Sequence, residues 1–171
     1  MPDGLSVGVR FSKKVSFTEE SIREFAALVG DTNPLHHDTA AAASSSFGRI
    51  IASGTQTISM MLAVVPDHLS SSQPNVGLEA SVRMLRPVRA GDSALIEWEI
   101  TDIASVPKLK GWIVTTVGRL VREDDVVALT AISRTLIYWP DSNPLSGNSA
   151  GRVKTIDTCV EKPSNKLNNK Q

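Results

Sequence analysis

Residues 54–65 read GTQTISMMLAVV, and from Ile58 onward their apolar side chains are spread around most of the circumference of a helix. A helix of this kind is typical of a protein interior, because a surface helix confines its apolar residues to one stripe. Pro66 is predicted to end the helix, since proline cannot donate the next backbone hydrogen bond. The sequence therefore predicts one central, buried helix around which the other elements pack.

The residues that follow this helix alternate between apolar and polar, the period-two pattern of β-strands. Four strands are predicted between residues 76 and 139, and their short connections favour an antiparallel meander with one face covered. The apolar positions of the first two strands are Val76, Leu78, Ala80, Val82, Met84, Ala94, Ile96, Trp98 and Ile100. Together with the central helix, the pattern predicts an α+β domain in which a curved antiparallel sheet wraps a helix.

Three further elements are predicted before the central helix. Residues 7–15 alternate loosely and indicate a first strand or an extended lead-in. An amphipathic helix follows, with Thr18 or Ser16 as its N-cap and Gly30 as its C-terminal cap. Its apolar stripe consists of Ile22, Phe25, Ala26 and Val29. Asp38 is placed to cap a short helix over residues 39–45.

Composition restricts the class of protein. Among 171 residues, Lys+Arg and Asp+Glu both number 18, so the net charge of zero gives no reason to expect nucleic acid or an anionic membrane as partner. The single cysteine, Cys159, excludes an internal disulfide, and no apolar stretch is long enough to span a bilayer. We expect a cytoplasmic protein with one domain over residues 1–140 and a polar, flexible tail over residues 141–171.

The stretch GDTNPLHHD, residues 30–38, concentrates titratable groups where the amphipathic helix ends. Pro34 restricts both its own backbone and that of the preceding residue, so the loop is expected to be stiff. A stiff loop can hold Asp31 and His36 towards one point, where a carboxylate and an imidazole can share a water molecule and exchange protons with a substrate. Simpler roles stay open: Asp31 and Asn33 also suit turns, and Asp38 suits an N-cap.

Two further stretches accompany this one: FGRIIASGTQT, residues 47–57, and LRPVRAGDSALIEWEI, residues 85–100. In this order the three stretches resemble the MaoC-like hydratase and dehydratase family of the hotdog fold, and the similarity covers roughly residues 8–138. Arg49-Ile50 and Ser53 depart from the family pattern, which frequently has Gly-Pro and His there; both departures flank the expected acyl pocket. The matching residues are Gly30, Asp31, Asn33, Pro34, Leu35, His36, Phe47, Gly48, Ile51, Ala52 and Gly54.

The resemblance implies reversible hydration of a trans-2-enoyl thioester to the (R)-3-hydroxyacyl thioester. It implies that Asp31 and His36 form the acid–base pair, with Asn33 orienting the pair and the water. The backbone N–H of Gly54, at a helix start, would hold the thioester oxygen, and Ser53 would lie beside the substrate or cap the helix.

The resemblance also implies a homodimer that acts on a thioester of coenzyme A or of an acyl carrier protein, without a separate cofactor. No Cys or His spacing fits a zinc site, so no metal is expected. Two alternatives stay open at this point. A hotdog thioesterase would release a free thiol, and a non-catalytic acyl-thioester binding module would be indifferent to Asp31→Asn.

Overall fold

The computed structural model of the protein describes residues 5–69, 74–139 and 142. Its strands form one five-stranded antiparallel sheet, and its longest helix lies across one face of that sheet. The elements in chain order are β1 (Arg10–Ser16), α1 (Glu19–Leu28), a 3₁₀ turn (Pro34–His36), α2 (Thr39–Ser44), α3 (Gly54–Leu69), β2 (Asn75–Met84), β3 (Ser93–Val106), a second 3₁₀ turn (Pro107–Leu109), β4 (Gly111–Arg122) and β5 (Val127–Tyr138).

The strand order is β1-β3-β4-β5-β2. Strands β3, β4 and β5 are consecutive neighbours, as a meander requires, but β2 pairs with β5 at the far edge of the sheet. The predicted four-strand meander is therefore wrong for its first strand. The physical reason is a non-local pairing: β1 occupies the edge of β3 that β2 would otherwise take.

The hydrophobic core lies between α3 and the inner face of the sheet. The predicted face of β3, formed by Ala94, Ile96, Trp98 and Ile100, is fully buried, which confirms its alternation. The indole N–H of Trp98 donates to the carbonyl of Met61 on α3 at 3.1 Å, so the helix and the sheet are also joined by a buried hydrogen bond.

One helix end differs from the prediction, and the caps of the other helices are as predicted. Helix α3 continues through Pro66 to Leu69, because a proline in the final turns removes only one backbone hydrogen bond. Helix α1 begins with the predicted cap at Thr18 and is followed by Gly30 in the left-handed conformation (φ 73°), which confirms the predicted glycine cap; Val29, predicted to belong to its apolar stripe, instead lies exposed. The Asp38 carboxylate accepts the N–H groups of Ala40 and Ala41, which confirms it as the N-cap of α2.

Strand β2 does not bury the apolar face that its sequence predicts. Val76, Leu78 and Met84 are 47%, 39% and 62% exposed, and the neighbouring Leu85 is 39% exposed. Because β2 is an edge strand, one side of its backbone also has no neighbouring strand within the sheet. The sheet thus ends in an apolar, unpaired edge.

The predicted tail over residues 141–171 lies outside the described residues, apart from Ser142, so the proposed domain boundary stays a prediction. Within the described part of the chain, no helix is both long and apolar enough to cross a bilayer.

Candidate active site

The loop after α1 is held rigidly by its own backbone and short polar side chains. Gly30 has a φ of 73°, which turns the chain out of the helix, and the N–H of Asp31 donates back to Ala26 O at 2.8 Å. The Asp31 carboxylate accepts the N–H of Asn33 at 3.1 Å, and the Asn33 side chain accepts that of Leu35 at 3.1 Å. Successive Asx turns therefore lead the chain into the 3₁₀ turn.

This loop brings Asp31 and His36 together. Nε2 of His36 lies 3.4 Å from Oδ2 of Asp31; the histidine is buried, whereas about a third of the Asp31 side chain (31%) is exposed. Nδ1 of His36 lies 2.9 Å from the carbonyl oxygen of Ile51. Since a carbonyl oxygen only accepts, Nδ1 carries a proton and Nε2 is the nitrogen that faces the carboxylate.

Ile51 also ties the acid–base loop to the start of α3. Its N–H donates to Leu35 O at 3.2 Å, and its carbonyl accepts from Nδ1 of His36. Both backbone polar groups of Ile51 therefore bond to residues of the 3₁₀ turn. The next residue, Ala52, donates to Val88 O at 2.8 Å, which anchors the same segment to the chain between β2 and β3. Gly54, three residues after Ile51, is thereby held at a fixed position relative to His36.

Gly54 is the first residue of α3, where backbone N–H groups have no partner within the helix. Among the described residues, its N–H donates to no backbone carbonyl. A Cβ at this position would stand 2.7 Å from Sδ of Met84, so glycine allows the Met84 side chain of β2 to lie against the helix start. The free N–H and the positive end of the helix dipole form a site suited to an oxygen that gains negative charge.

Three other polar residues of the region have structural partners. The Asn33 side chain caps the 3₁₀ turn, and the contact of Asn33 with the Asp31 carboxylate is made by its backbone N–H. The buried Ser53 hydroxyl accepts the N–H of Gln56 at 3.1 Å and lies 3.0 Å from the Thr55 hydroxyl, which makes it the cap of α3. Nε2 of His37 lies 2.6 Å from the backbone carbonyl of Asp31 and so supports the loop from behind.

Sequence reasoning missed two groups that position the pair. The Ile51 carbonyl orients His36, but a backbone carbonyl leaves no trace in residue identity. Arg23 donates to the His37 carbonyl and, at 2.8 Å, to the Thr39 hydroxyl, so it fastens the far side of the loop to α1. Arg23 lies on the polar face of an amphipathic helix, where the sequence pattern does not distinguish it from an ordinary surface residue.

Within the described residues, no group of three or more His, Cys, Asp and Glu side chains is placed to hold a metal ion. The site presents several groups of its own that can take part in chemistry. These are one carboxylate, one imidazole in contact with it, and the backbone N–H groups at a helix start, which suit proton transfer next to a developing oxyanion.

Comparison with solved structures identifies the fold. An (R)-hydratase from Aeromonas caviae superposes with a TM-score of 0.68 at 28% identity, over 78% of this chain and 97% of that one. The protein has the hotdog fold, as predicted.

Comparison of sequences identifies the family. The family described as "MaoC like domain" matches residues 5–119, and the chain belongs to it. The (R)-specific enoyl-CoA hydratase of A. caviae is 32% identical over 99 residues, which cover 58% of this chain and 73% of the relative. A Parafrankia sp. protein designated UPF0336, a name that states no activity, is 30% identical over 134 residues, or 68% of this chain and 86% of the relative.

Proposed function

We propose that this protein hydrates a trans-2-enoyl-CoA thioester reversibly to the (R)-3-hydroxyacyl thioester, with Asp31 and His36 as its acid–base pair. The observation that carries the proposal is the 3.4 Å separation of Asp31 Oδ2 and His36 Nε2 beside the start of α3. Membership of the MaoC-like family supports the same reaction class, because an enoyl-CoA hydratase is among the relatives.

In the proposed mechanism a water molecule bonds to both Oδ2 of Asp31 and Nε2 of His36 from one side, since their 3.4 Å separation leaves no room for it on the line between them. Asp31 takes one proton from it while the water oxygen bonds to the β-carbon of the enoyl thioester. His36, protonated at Nε2, gives its proton to the α-carbon, and the proton on Asp31 then returns to His36. The product gains one oxygen and one hydrogen from the water and one hydrogen from His36, which the second proton of the water replaces; no electrons are exchanged, and the proposed reaction needs no cofactor beyond the thioester carrier.

The thioester oxygen must also be stabilised during the proposed reaction. Addition of water at the β-carbon passes through an enolate-like state whose negative charge lies on this oxygen. We assign its hydrogen-bond donor as the N–H of Gly54, with the positive end of α3 behind it. A donor of this kind contributes on the order of 10² to 10³ in rate.

We also propose that two copies associate through the free edge of β2. The edge has an unpaired backbone side and exposed apolar residues, among them Val76 and Met84. An unpaired apolar edge of this kind is a template for pairing with another chain. Because Met84 stands beside Gly54, a second copy on this edge would also cover the start of α3.

The test is to mix the full chain with crotonyl-CoA and with longer enoyl thioesters, and to follow the ultraviolet absorbance of the conjugated double bond. A thiol reagent is present in a parallel sample. We expect the absorbance of the conjugated double bond to fall without thiol release. Chiral analysis of the 3-hydroxyacyl product should show the (R) configuration. Thiol release would instead identify a thioesterase, and binding without either change would identify an acyl-thioester binding module.

A further inference from the structure

The backbone of Asp31 is held on both sides of its Cα atom. On one side, the Asp31 N–H donates to the carbonyl of Ala26 in α1 at 2.8 Å. On the other side, Nε2 of His37 lies 2.6 Å from the Asp31 carbonyl oxygen. Because rotation about the two bonds at Cα is the main freedom of a residue's backbone, these contacts determine the direction in which the Asp31 side chain leaves the chain.

The carboxylate of Asp31 is divided between two further partners. Oδ1 accepts the N–H of Asn33 at 3.1 Å, which leaves Oδ2 to face Nε2 of His36 at 3.4 Å. The contacts with Ala26 and Asn33 are made by backbone groups of these residues. Of the four contacts, only the one with His37 therefore depends on a side chain outside the proposed acid–base pair, and a substitution can remove it.

His37 is itself anchored at its backbone. Its N–H donates to Pro34 O at 3.1 Å, and its carbonyl accepts from the guanidinium of Arg23. The same guanidinium donates to the Thr39 hydroxyl at 2.8 Å. Because His37 follows His36 directly in the chain, its ring joins the backbone of one member of the acid–base pair to the backbone of the other.

The two adjacent histidines donate to backbone carbonyls from opposite ring nitrogens. A carbonyl oxygen only accepts hydrogen bonds, so His37 carries a proton on Nε2 and His36 carries one on Nδ1. The His37 donor is attached through only two rotatable side-chain bonds, and fewer rotatable bonds mean less conformational freedom to lose. The ring is therefore suited to holding the Asp31 carbonyl at a fixed position.

We propose that His37 is a positioning residue, whose Nε2–H fixes the Asp31 carbonyl and thereby keeps the Asp31 carboxylate directed at His36 and at the attacking water. The inference rests on the proposed function, because it assigns to His37 an effect on the step that Asp31 performs. His37 acts only through Asp31 and does not bind the thioester held at Gly54. Its loss should lower kcat and leave KM nearly unchanged.

Two substitutions of His37 test the hydrogen bond by the reach of its donor. The amide nitrogen of glutamine is as many bonds from Cα as Nε2 of histidine, whereas that of asparagine is one bond closer. A displacement of about 1 Å can cost on the order of 10² in rate, and the other contacts of Asp31 remain, so His37→Asn should lower kcat on the order of 10-fold. The matched His37→Gln variant should retain kcat within about three-fold of the wild type, and both should keep KM within about two-fold.

Thermal melting of both variants ensures that kcat is compared in folded protein. Equal losses of kcat in His37→Asn and His37→Gln would overturn the inference, because the reach of the donor would then be irrelevant. A rise in KM with unchanged kcat would overturn it as well, since it would indicate a contact with bound substrate.

NMR tests the same contact without turnover. The chain has three histidines, His36, His37 and His68, so single variants assign each imidazole ring in long-range proton–nitrogen spectra. In the wild type, Nε2 of His37 should be protonated, and a His37 ring protonated only on Nδ1 would overturn the inference. The His36 signals should move further in His37→Asn than in His37→Gln, and equal displacements would contradict the role of the His37 donor. The wild-type measurement decides even where a variant fails to fold.

The two readouts separate this inference from the proposed function. Hydration by the wild type with kcat unchanged in His37→Asn would overturn the positioning role alone. No hydration by the wild type, together with a protonated Nε2 of His37 and displaced His36 signals, would overturn the hydratase and support the contact through which His37 holds Asp31.

Discussion

Replacing Gly118 with alanine should destabilise the protein markedly. Gly118 on β4 is the direct cross-strand partner of Trp98 on β3, and the indole lies over the glycine. A Cβ at this position would overlap the indole carbons Cδ2 and Cε3 and would stand 2.8 Å from the carbonyl oxygen of Glu97. The backbone oxygen cannot rotate away, and Trp98 is 2% exposed, so the ring has no free space into which it can move.

The size of the effect follows from two costs. Overpacking a well-packed core costs about 1–3 kcal/mol in free energy of unfolding. Displacing the indole also weakens the hydrogen bond from Trp98 to the carbonyl of Met61, which contributes about 0.5–1.5 kcal/mol. We therefore expect Gly118→Ala to lose about 2–4 kcal/mol, and to melt on the order of 10 °C lower than the wild type.

Urea unfolding and thermal melting measure this loss, and tryptophan fluorescence reports whether the indole has moved. The matched control is Gly77→Ala on β2, where a Cβ would meet no atom within 4 Å. The control should unfold within about 0.5 kcal/mol of the wild type, as is usual for substitutions away from tight packing. A Gly118→Ala variant as stable as this control, with unchanged fluorescence, would refute the packing argument.

Asp92→Asn should lower the free energy of unfolding by about 1–3 kcal/mol, measured with urea. The mostly buried Asp92 carboxylate accepts the backbone N–H of Arg89 and a guanidinium N–H of Arg49, both at 2.8 Å. The control Asp124→Asn, at an exposed ion pair, should leave the free energy of unfolding nearly unchanged. Val76→Lys should shift the protein from dimer to monomer in sedimentation velocity, and a variant that remains dimeric would contradict pairing through β2. Burial lowers the pKa of His68, and the carboxylate of Asp67 partly opposes this effect. Because the unfolded chain then binds more protons near pH 6 than the folded protein, the free energy of unfolding should fall as the pH drops from about 7 to about 5. His68→Phe, which keeps a ring stacked on Phe11, should melt with a smaller pH dependence, and an unchanged dependence would exclude His68 as its source.

The part of the fold that could be predicted from sequence is the part that periodicity determines. The apolar circumference of residues 58–65 predicted a buried helix, and α3 is packed against the sheet. The alternation through Ile96 and Trp98 predicted one buried face of β3. Strand order was not predictable in this way, because period two gives each strand two faces but does not identify its neighbours.

Strand β2 shows a second limit of sequence patterns. Its alternation predicts a buried face, yet Val76 and Met84 are exposed in the single chain. A pattern records that a face is apolar, but does not say whether the same chain or another one covers it. The exposed edge is thus one of the observations from which we infer a second copy.

At the candidate site, the proximity of Asp31 and His36 was predictable because it depends on local features, namely a proline, an Asx turn and a glycine that ends α1. The group that orients His36 was not predictable, because the Ile51 carbonyl reaches the ring from fifteen residues away through the fold.

Comparison of Asp31→Asn with Asp38→Asn tests most directly whether Asp31 performs the proposed acid–base chemistry. Both variants turn a loop carboxylate into an amide, and asparagine caps helices as well as aspartate, so the second is a control for folding. We would measure kcat for hydration of crotonyl-CoA, or of the best enoyl thioester found, in both variants. We expect kcat to fall by a factor on the order of 10² to 10⁴ in Asp31→Asn and to change almost not at all in Asp38→Asn. Near-wild-type turnover by a folded Asp31→Asn variant would contradict the acid–base role of Asp31.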